Sequence, residues 1–162
     1  MQKLCTMNHQ IPDEPLPVDL DHLNQTCRTG LVERLGITYT YVGTARAEAT
    51  MPVDERTCQP FGILHGGASM ALAETIAGVG TLSIIGADEH AVGQQLSVNH
   101  VGSAAMGDTV KAVATLVHRG RSSHVWHVDI LSQTTGKLVS TAQVLYCILK
   151  KEQNQQQQNQ IK

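Results

Sequence analysis

Apolar positions recur at three- and four-residue steps from Asp19 to Leu35, with Leu20, Leu23, Cys27, Leu31 and Leu35 on one face. That spacing predicts helix. Gly30 predicts a break into two short helices, and Asp19 or Asp21 is placed to cap the first. From Gly36 to Val53 the period shortens to two. Ile37, Tyr39 and Tyr41 alternate, then Ala45, Ala47, Ala49 and Met51. Two strands are predicted, joined by a turn at Val42-Gly43-Thr44. A loop over 52–60 leads to a stretch, 61–80, that is apolar almost throughout. It predicts a long helix from about Gly67 to about Ile85, with Glu74 as its one charged side chain. Beyond a loop at 86–90, four strands are predicted at about Val92–His100, Val110–Arg119, His124–Gln133 and Val139–Leu149. The segments 120–123 and 134–137 read as hairpin turns between them.

Short helices, two strands, one long helix and four strands make an α+β arrangement. An antiparallel sheet is expected to curl round the central helix. A helix apolar nearly all round belongs in a core. One chain would still leave a sheet edge and a helix end for another copy to cover, so an oligomer is expected. Residues 1–18 are polar and broken by Pro12, Pro15 and Pro17, and read as a flexible leader. Residues 19–149 form the single folded domain. Residues 150–162 are Gln-rich, lack apolar periodicity and are expected to be disordered.

Composition narrows the function classes. With 12 basic and 14 acidic residues, net charge −2 and 3% aromatic residues, neither a phosphate-tracking basic face nor a base-stacking platform is expected. Cys5, Cys27, Cys58 and Cys147 form no CxxC pair and fit no zinc spacing. Free thiols in a reducing cytosol are the expectation. The N-terminus has no apolar signal-peptide core. No Lys or Arg occurs between Arg56 and Lys111, so the long helix lacks the basic flank of a membrane span. A cytoplasmic protein, without membrane or nucleic-acid partners, is expected.

The chemistry gathers at the long helix. Gly66 and Gly67 stand where it begins. The first amides of a helix have no partner within it and favour an oxyanion or a polarised carbonyl. Glu74 lies about two turns further on. A carboxylate in an apolar helix is costly unless paired or used, so Glu74 reads as either a buried, paired glutamate or a catalytic carboxylate. Of its helical neighbours Met70, Ala71, Ala77 and Gly78, three are small, which predicts room beside it. Gln59 and His65 precede the helix and can donate hydrogen bonds, or can simply be satisfied loop residues. Together the set suits attack on a carbonyl. Ser69 lacks a Gly-x-Ser-x-Gly turn. His124 and His127 would face opposite sides of a strand, so they do not make a metal site. The glycines lack the GK[ST] ending of a phosphate loop. Neither a metal nor a cofactor is expected.

The run Gln59-Pro-Phe-Gly-Ile-Leu-His65-Gly-Gly-Ala-Ser-Met-Ala-Leu-Ala-Glu74 resembles the hotdog-fold acyl-CoA thioesterases. Within them it is most similar to the branch that hydrolyses 1,4-dihydroxy-2-naphthoyl-CoA in menaquinone or phylloquinone synthesis. A near relative of that branch clears misloaded aryl groups from the enterobactin carrier protein. Met51-Pro-Val-Asp, Val98-Asn-His-Val and Val125-Trp126 fit as well, so the resemblance covers roughly 19–149. It implies a hotdog homodimer with shared active sites, usually paired into a homotetramer, acting on an acyl-CoA. It implies Glu74 as nucleophile or general base, the Gly66 amide as carbonyl polariser, and Gln59 and His65 as orienting groups across the dimer. It also implies that Gly93, the segment His100, Val101, Gly102 and Ser103, and the turn His118, Arg119, Gly120, Arg121, Ser122 and Ser123 hold the substrate. The chain departs from the pattern twice. Gly102 stands where relatives often carry Arg, which leaves Arg119 and Arg121 as phosphate candidates on charge grounds or as ordinary solvated residues. Gly78 stands where relatives often carry Ser or Thr. A hotdog hydratase or dehydratase, or a non-catalytic acyl-CoA-binding module, are the other readings of the same fold.

Overall fold

The structure, a computed structural model, describes residues 11–151. Most of the leader and of the Gln-rich tail therefore lie outside the described residues. The elements are α1 (Leu20–Thr26), α2 (Gly30–Leu35), β1 (Thr38–Val42), β2 (Arg46–Pro52), α3 (Gly66–Leu82), β3 (Glu89–His100), β4 (Thr109–Arg119), β5 (Ser123–Ser132) and β6 (Leu138–Lys150). All six strands join one antiparallel sheet in the order β1-β2-β4-β5-β6-β3. The sheet curls round α3, which touches every strand. This is the hotdog fold.

Local chemistry sets the boundaries. Asp19 caps α1 by accepting from the His22 N–H. Gly30, the first residue of α2, takes φ +58 where the chain turns out of α1, a backbone geometry that only glycine adopts cheaply. The two sheet edges are treated differently. At β1, the Asn24 side chain donates to the Tyr39 carbonyl and accepts from the Tyr39 N–H, like a one-residue strand. Leader residues also lie there: the Leu16 N–H donates to the Val42 carbonyl, and the Asp13 carboxylate accepts from the Ala45 N–H and the Tyr41 hydroxyl. At the other edge β3 runs for twelve residues with most of its side chains exposed. An unpaired edge of that length is a template for another strand.

One face of α3 supplies the core. Ala68, Leu72, Ala73, Ile76 and Ala77 are buried against Met51, Val110, Leu116, Trp126, Val128 and Val144. The opposite stripe corrects the sequence reading. Met70 is 39% exposed, and Glu74 and Leu82 are exposed too. The sheet ends at β3 before it has wrapped the whole helix, so Glu74 is no buried charge in one chain. No helix among the described residues is long and apolar enough to cross a membrane.

Trp126 anchors the C-terminal half of α3. A Cβ at Gly80 would lie 2.7 Å from its ring, so glycine permits the close approach. The buried indole N–H donates to the Thr81 hydroxyl at 2.8 Å. Thr81→Val keeps the shape and removes the acceptor. Urea unfolding should show it less stable by about 1–3 kcal/mol, the cost of an orphaned buried donor; unchanged stability would mean that the bond contributes nothing.

Candidate active site

The loop before α3 is a short hairpin. The Gln59 N–H donates to the Ile63 carbonyl at 2.9 Å, and the Gly62 N–H donates to the Gln59 carbonyl at 3.0 Å. Gly62 takes φ +72, the left-handed step that ends such a turn, and Phe61 at its tip is 85% exposed. The His65 N–H then donates to the Thr57 carbonyl, which fixes His65 as the N-cap of α3. Its Nδ1 accepts from the Gly67 N–H at 2.8 Å. Its carbonyl accepts from the N–H groups of Ala68 and Ser69. The Gly66 N–H alone in this first turn finds no acceptor among the described residues. An N–H left free at the positive end of a seventeen-residue helix is a ready donor to a polarised oxygen. His100 closes this end from the side: a Cβ at Gly66 would lie 2.8 Å from its Nε2. The ring is held through Nδ1 by the Ser140 hydroxyl at 2.9 Å.

Glu74 projects from the open stripe of α3 over strand β3. A Cβ at Gly93 would meet its Oε1 at 2.5 Å, so glycine leaves the space the carboxylate occupies. The carboxylate forms no hydrogen bond or ion pair with any described residue. Neither Gln59 nor His65 forms a hydrogen bond or ion pair with it within the chain. Gly66 and Glu74 are eight residues apart, or about 12 Å along the helix axis. One carbonyl cannot touch both in a single chain. The room predicted beside Glu74 at Gly78 is also taken. A Cβ there would lie 2.6 Å from the Tyr146 hydroxyl, which donates to the Glu74 backbone carbonyl at 2.9 Å.

Apart from Gly93, which lies under Glu74, the expected substrate-holding residues fall into two groups at opposite ends of α3, about 25 Å apart for seventeen residues. Val101, Gly102 and Ser103 continue from His100 at the N-terminal end. The N–H groups of Val101 and Gly102 both donate to the Val139 carbonyl at 3.0 Å. A Cβ at Gly102 would lie 2.4 Å from the Leu138 carbonyl oxygen, so the backbone leaves no place for an arginine there. His118 to Ser123 lie at the C-terminal end. Arg119 donates from Nη2 to the Ile84 carbonyl at 3.1 Å, so part of its hydrogen-bonding capacity goes to the end of the helix. Arg121 and Ser122 are exposed. The Gly120 N–H closes the turn on the Ser123 carbonyl.

Two residues stand close to these groups, one that the sequence did not single out and one that it considered only as a metal ligand and set aside. One is Tyr146. Burial first, then the nearby charge of Glu74, pushes its phenol up to about 12, so it remains a hydrogen-bond donor at neutral pH. Its only sequence signal is a hydroxyl-bearing residue in the inward row Val144, Tyr146, Ile148. The other is His124, behind the 118–123 turn. It is 2% exposed and its Nδ1 has no partner among the described residues, whereas His127 on the opposite face is exposed.

This architecture and helix-start geometry fit a hotdog thioesterase. The comparisons with known proteins agree. A model of the thioesterase superfamily matches residues 61–139. A proofreading thioesterase of Cronobacter sakazakii is 41% identical over 130 residues, 80% of this chain and 93% of the relative. A 1,4-dihydroxy-2-naphthoyl-CoA hydrolase of Escherichia coli is 38% identical over 132 residues, 82% of this chain and 96% of the relative. The crystal structure of a thioesterase from Haemophilus influenzae superposes with a TM-score of 0.80 at 36% identity, covering 87% of this chain and 97% of that one. The chain belongs to the thioesterase superfamily and is a thioester hydrolase.

The environment of His124 sets a pH dependence. Burial, then the neighbouring charge of Arg119, holds its imidazole below the usual histidine range. The fold therefore favours the neutral ring, and the unfolded chain binds the proton more readily. Stability from this residue is complete above about pH 6.5 and is lost as pH falls below it. The melting temperature should drop between about pH 7.5 and pH 5, and less steeply in His124→Gln. Equal pH slopes in the two proteins would show that His124 is not the cause.

Proposed function

We propose that this thioesterase hydrolyses an acyl-CoA, with an aromatic acyl group such as 1,4-dihydroxy-2-naphthoyl, in a site shared between two copies of the chain. The observation that carries the reading is the pair of unspent groups on α3. Among the described residues the Gly66 N–H has no acceptor and the Glu74 carboxylate no partner, and they lie too far apart to serve one carbonyl in one chain. Pairing the open β3 edges of two copies in antiparallel fashion would bring one helix start toward the other copy's carboxylate. Further pairing of dimers gives the tetramer. The aromatic preference rests on likeness to the Escherichia coli hydrolase and to the proofreading enzyme. Free Cys27, Cys58 and Cys147 fit a cytoplasmic setting.

In this scheme the thioester carbonyl oxygen accepts from the Gly66 N–H, and the helix dipole stabilises the charge that develops on it. Gln59 and His65 orient the carbonyl and the water. Glu74 of the partner subunit takes a proton from that water as its oxygen bonds to the carbonyl carbon. The C–S bond then breaks, the sulfur receives that proton, and the free acid and CoA thiol leave. If the carboxylate attacks directly as nucleophile instead, it expels the CoA thiolate and forms a mixed anhydride, which water hydrolyses to the free acid, regenerating Glu74 and giving the thiolate its proton. His100 to Ser103 and the turn His118 to Ser123 supply contacts for the CoA portion, the second group from the far end of a helix.

Glu74→Gln tests the scheme. It preserves shape and removes the base, so turnover should fall on the order of 10²–10⁴-fold, read as thiol release over a panel of aryl- and acyl-CoA esters. Wild-type rates in the variant would defeat the mechanism. An enoyl or hydroxyacyl thioester as product would mean a hydratase, and tight binding without thiol release would mean a binding module. Sedimentation should find dimers or tetramers; an active monomer would refute the shared site.

A further inference from the structure

Tyr146 lies on β6, and its partner in the ladder to β3 is Gly93. These two neighbours meet one turn of α3 in a crossed arrangement. Glu74 extends over the bare backbone of Gly93, and the ring of Tyr146 rises under Gly78. The phenol is 8% exposed as part of its residue and donates to the Glu74 carbonyl. Helix geometry gives the same carbonyl the Gly78 N–H. A hydroxyl on residue 78 itself could make that bond from within the helix, because Ser and Thr side chains reach the carbonyl four residues back. Here the phenol and any side chain at 78 exclude each other.

We propose that Tyr146 is a positioning residue for Glu74: its hydroxyl, delivered from β6 into the notch left by Gly78, fixes the 74–78 turn of α3 on the β3–β6 pair and so sets where the Glu74 carboxylate stands. The proposal rests on Glu74 being the reacting carboxylate. The tyrosine reaches the reaction only through Glu74. Removing its hydroxyl should therefore slow the chemical step and leave substrate affinity alone, since no substrate contact is lost.

Three variants test this on the full chain, with 1,4-dihydroxy-2-naphthoyl-CoA and benzoyl-CoA as probes. Tyr146→Phe keeps the ring and removes the donor. Its kcat should fall roughly ten- to hundredfold with KM unchanged, the scale expected for a misplaced catalytic group. Tyr146→Phe combined with Gly78→Ser returns a hydroxyl to the same carbonyl from the helix side and should recover much of the lost kcat. The ring has to give by a few tenths of an ångström, because its Cζ lies 3.1 Å from a Cβ at 78. Gly78→Ala displaces the phenol while keeping it, and should lower kcat as Tyr146→Phe does, so the test survives if Tyr146→Phe does not fold. Wild-type kcat in Tyr146→Phe, or a loss that appears in KM or melting temperature and is not rescued by Ser at 78, overturns the proposal. Glu74→Gln measured in parallel separates the two failures. An inactive Glu74→Gln beside a fully active Tyr146→Phe removes only the role of the tyrosine; an active Glu74→Gln removes the reading beneath it.

Discussion

The contact between one turn of α3 and one pair of sheet neighbours sets where Glu74, the carboxylate of the proposed reaction, stands. Glu74 and Gly78 are four residues apart, about 6 Å along the helix. Gly93 and Tyr146 sit on adjacent strands, roughly 4.8 Å apart. The two spacings match closely enough for each large residue to face a glycine: the carboxylate over Gly93, the phenol under Gly78. Tyr146 then ties the turn to the sheet through the Glu74 carbonyl. A glycine inside a helix destabilises it by about 1 kcal/mol relative to alanine, and α3 carries Gly78 and Gly80 in its buried face. Each makes room for an aromatic ring, Tyr146 and Trp126, so packing density and hydrogen bonds offset the lost propensity.

The asymmetry of the sheet edges follows the same logic. Asn24 and the leader residues occupy the β1 edge, so that edge cannot template a partner. Among the described residues nothing pairs with the outer edge of β3, which carries Gly93 under Glu74. With one edge closed and the other open, the sheet leaves one edge on which the proposed association can form. On the proposed reading, the exposed stripe of Met70, Glu74 and Leu82 is then the part of the helix that the sheet leaves for a second copy.

Much of the architecture is readable from residue period alone, because burial on one face imposes it. The alternation Ala45, Ala47, Ala49, Met51 becomes β2, and the glycine-led apolar run becomes α3. Asp19 caps α1 as its residue type and position suggest. The centre of the proposed site is suggested by the sequence for a different reason: a carboxylate in an apolar helix needs an explanation, and Gly66 at the helix start offers half of one. What could not be read depends on distant pairs. Gly78 looks like free space until Tyr146, 68 positions away in the chain, is found in it. Arg119 looks like a free cation until the Ile84 carbonyl is seen beside it. Glu74 looks buried because hydropathy cannot reveal where the sheet stops wrapping. Gly102 looks like a lost arginine, yet the Leu138 carbonyl leaves no room for any side chain.

On the proposed reading one helix carries both the polarising amide and the base, which couples two sites mechanically. If each site combines Gly66 of one copy with Glu74 of the other, every α3 serves two sites, giving its start to one and its middle to the next. A shift of the helix along its axis would displace both contributions at once, in opposite senses relative to the two substrates. Such an arrangement works only if the helix is rigid and its register on the sheet is fixed. The tight face of Ala68, Leu72, Ala73, Ile76 and Ala77 supplies the rigidity. The His65 cap fixes one end, Trp126 on Thr81 fixes the other, and Tyr146 fixes the turn between them. The three anchors hold α3 at its start, middle and end, and the middle one is also the turn that bears the carboxylate.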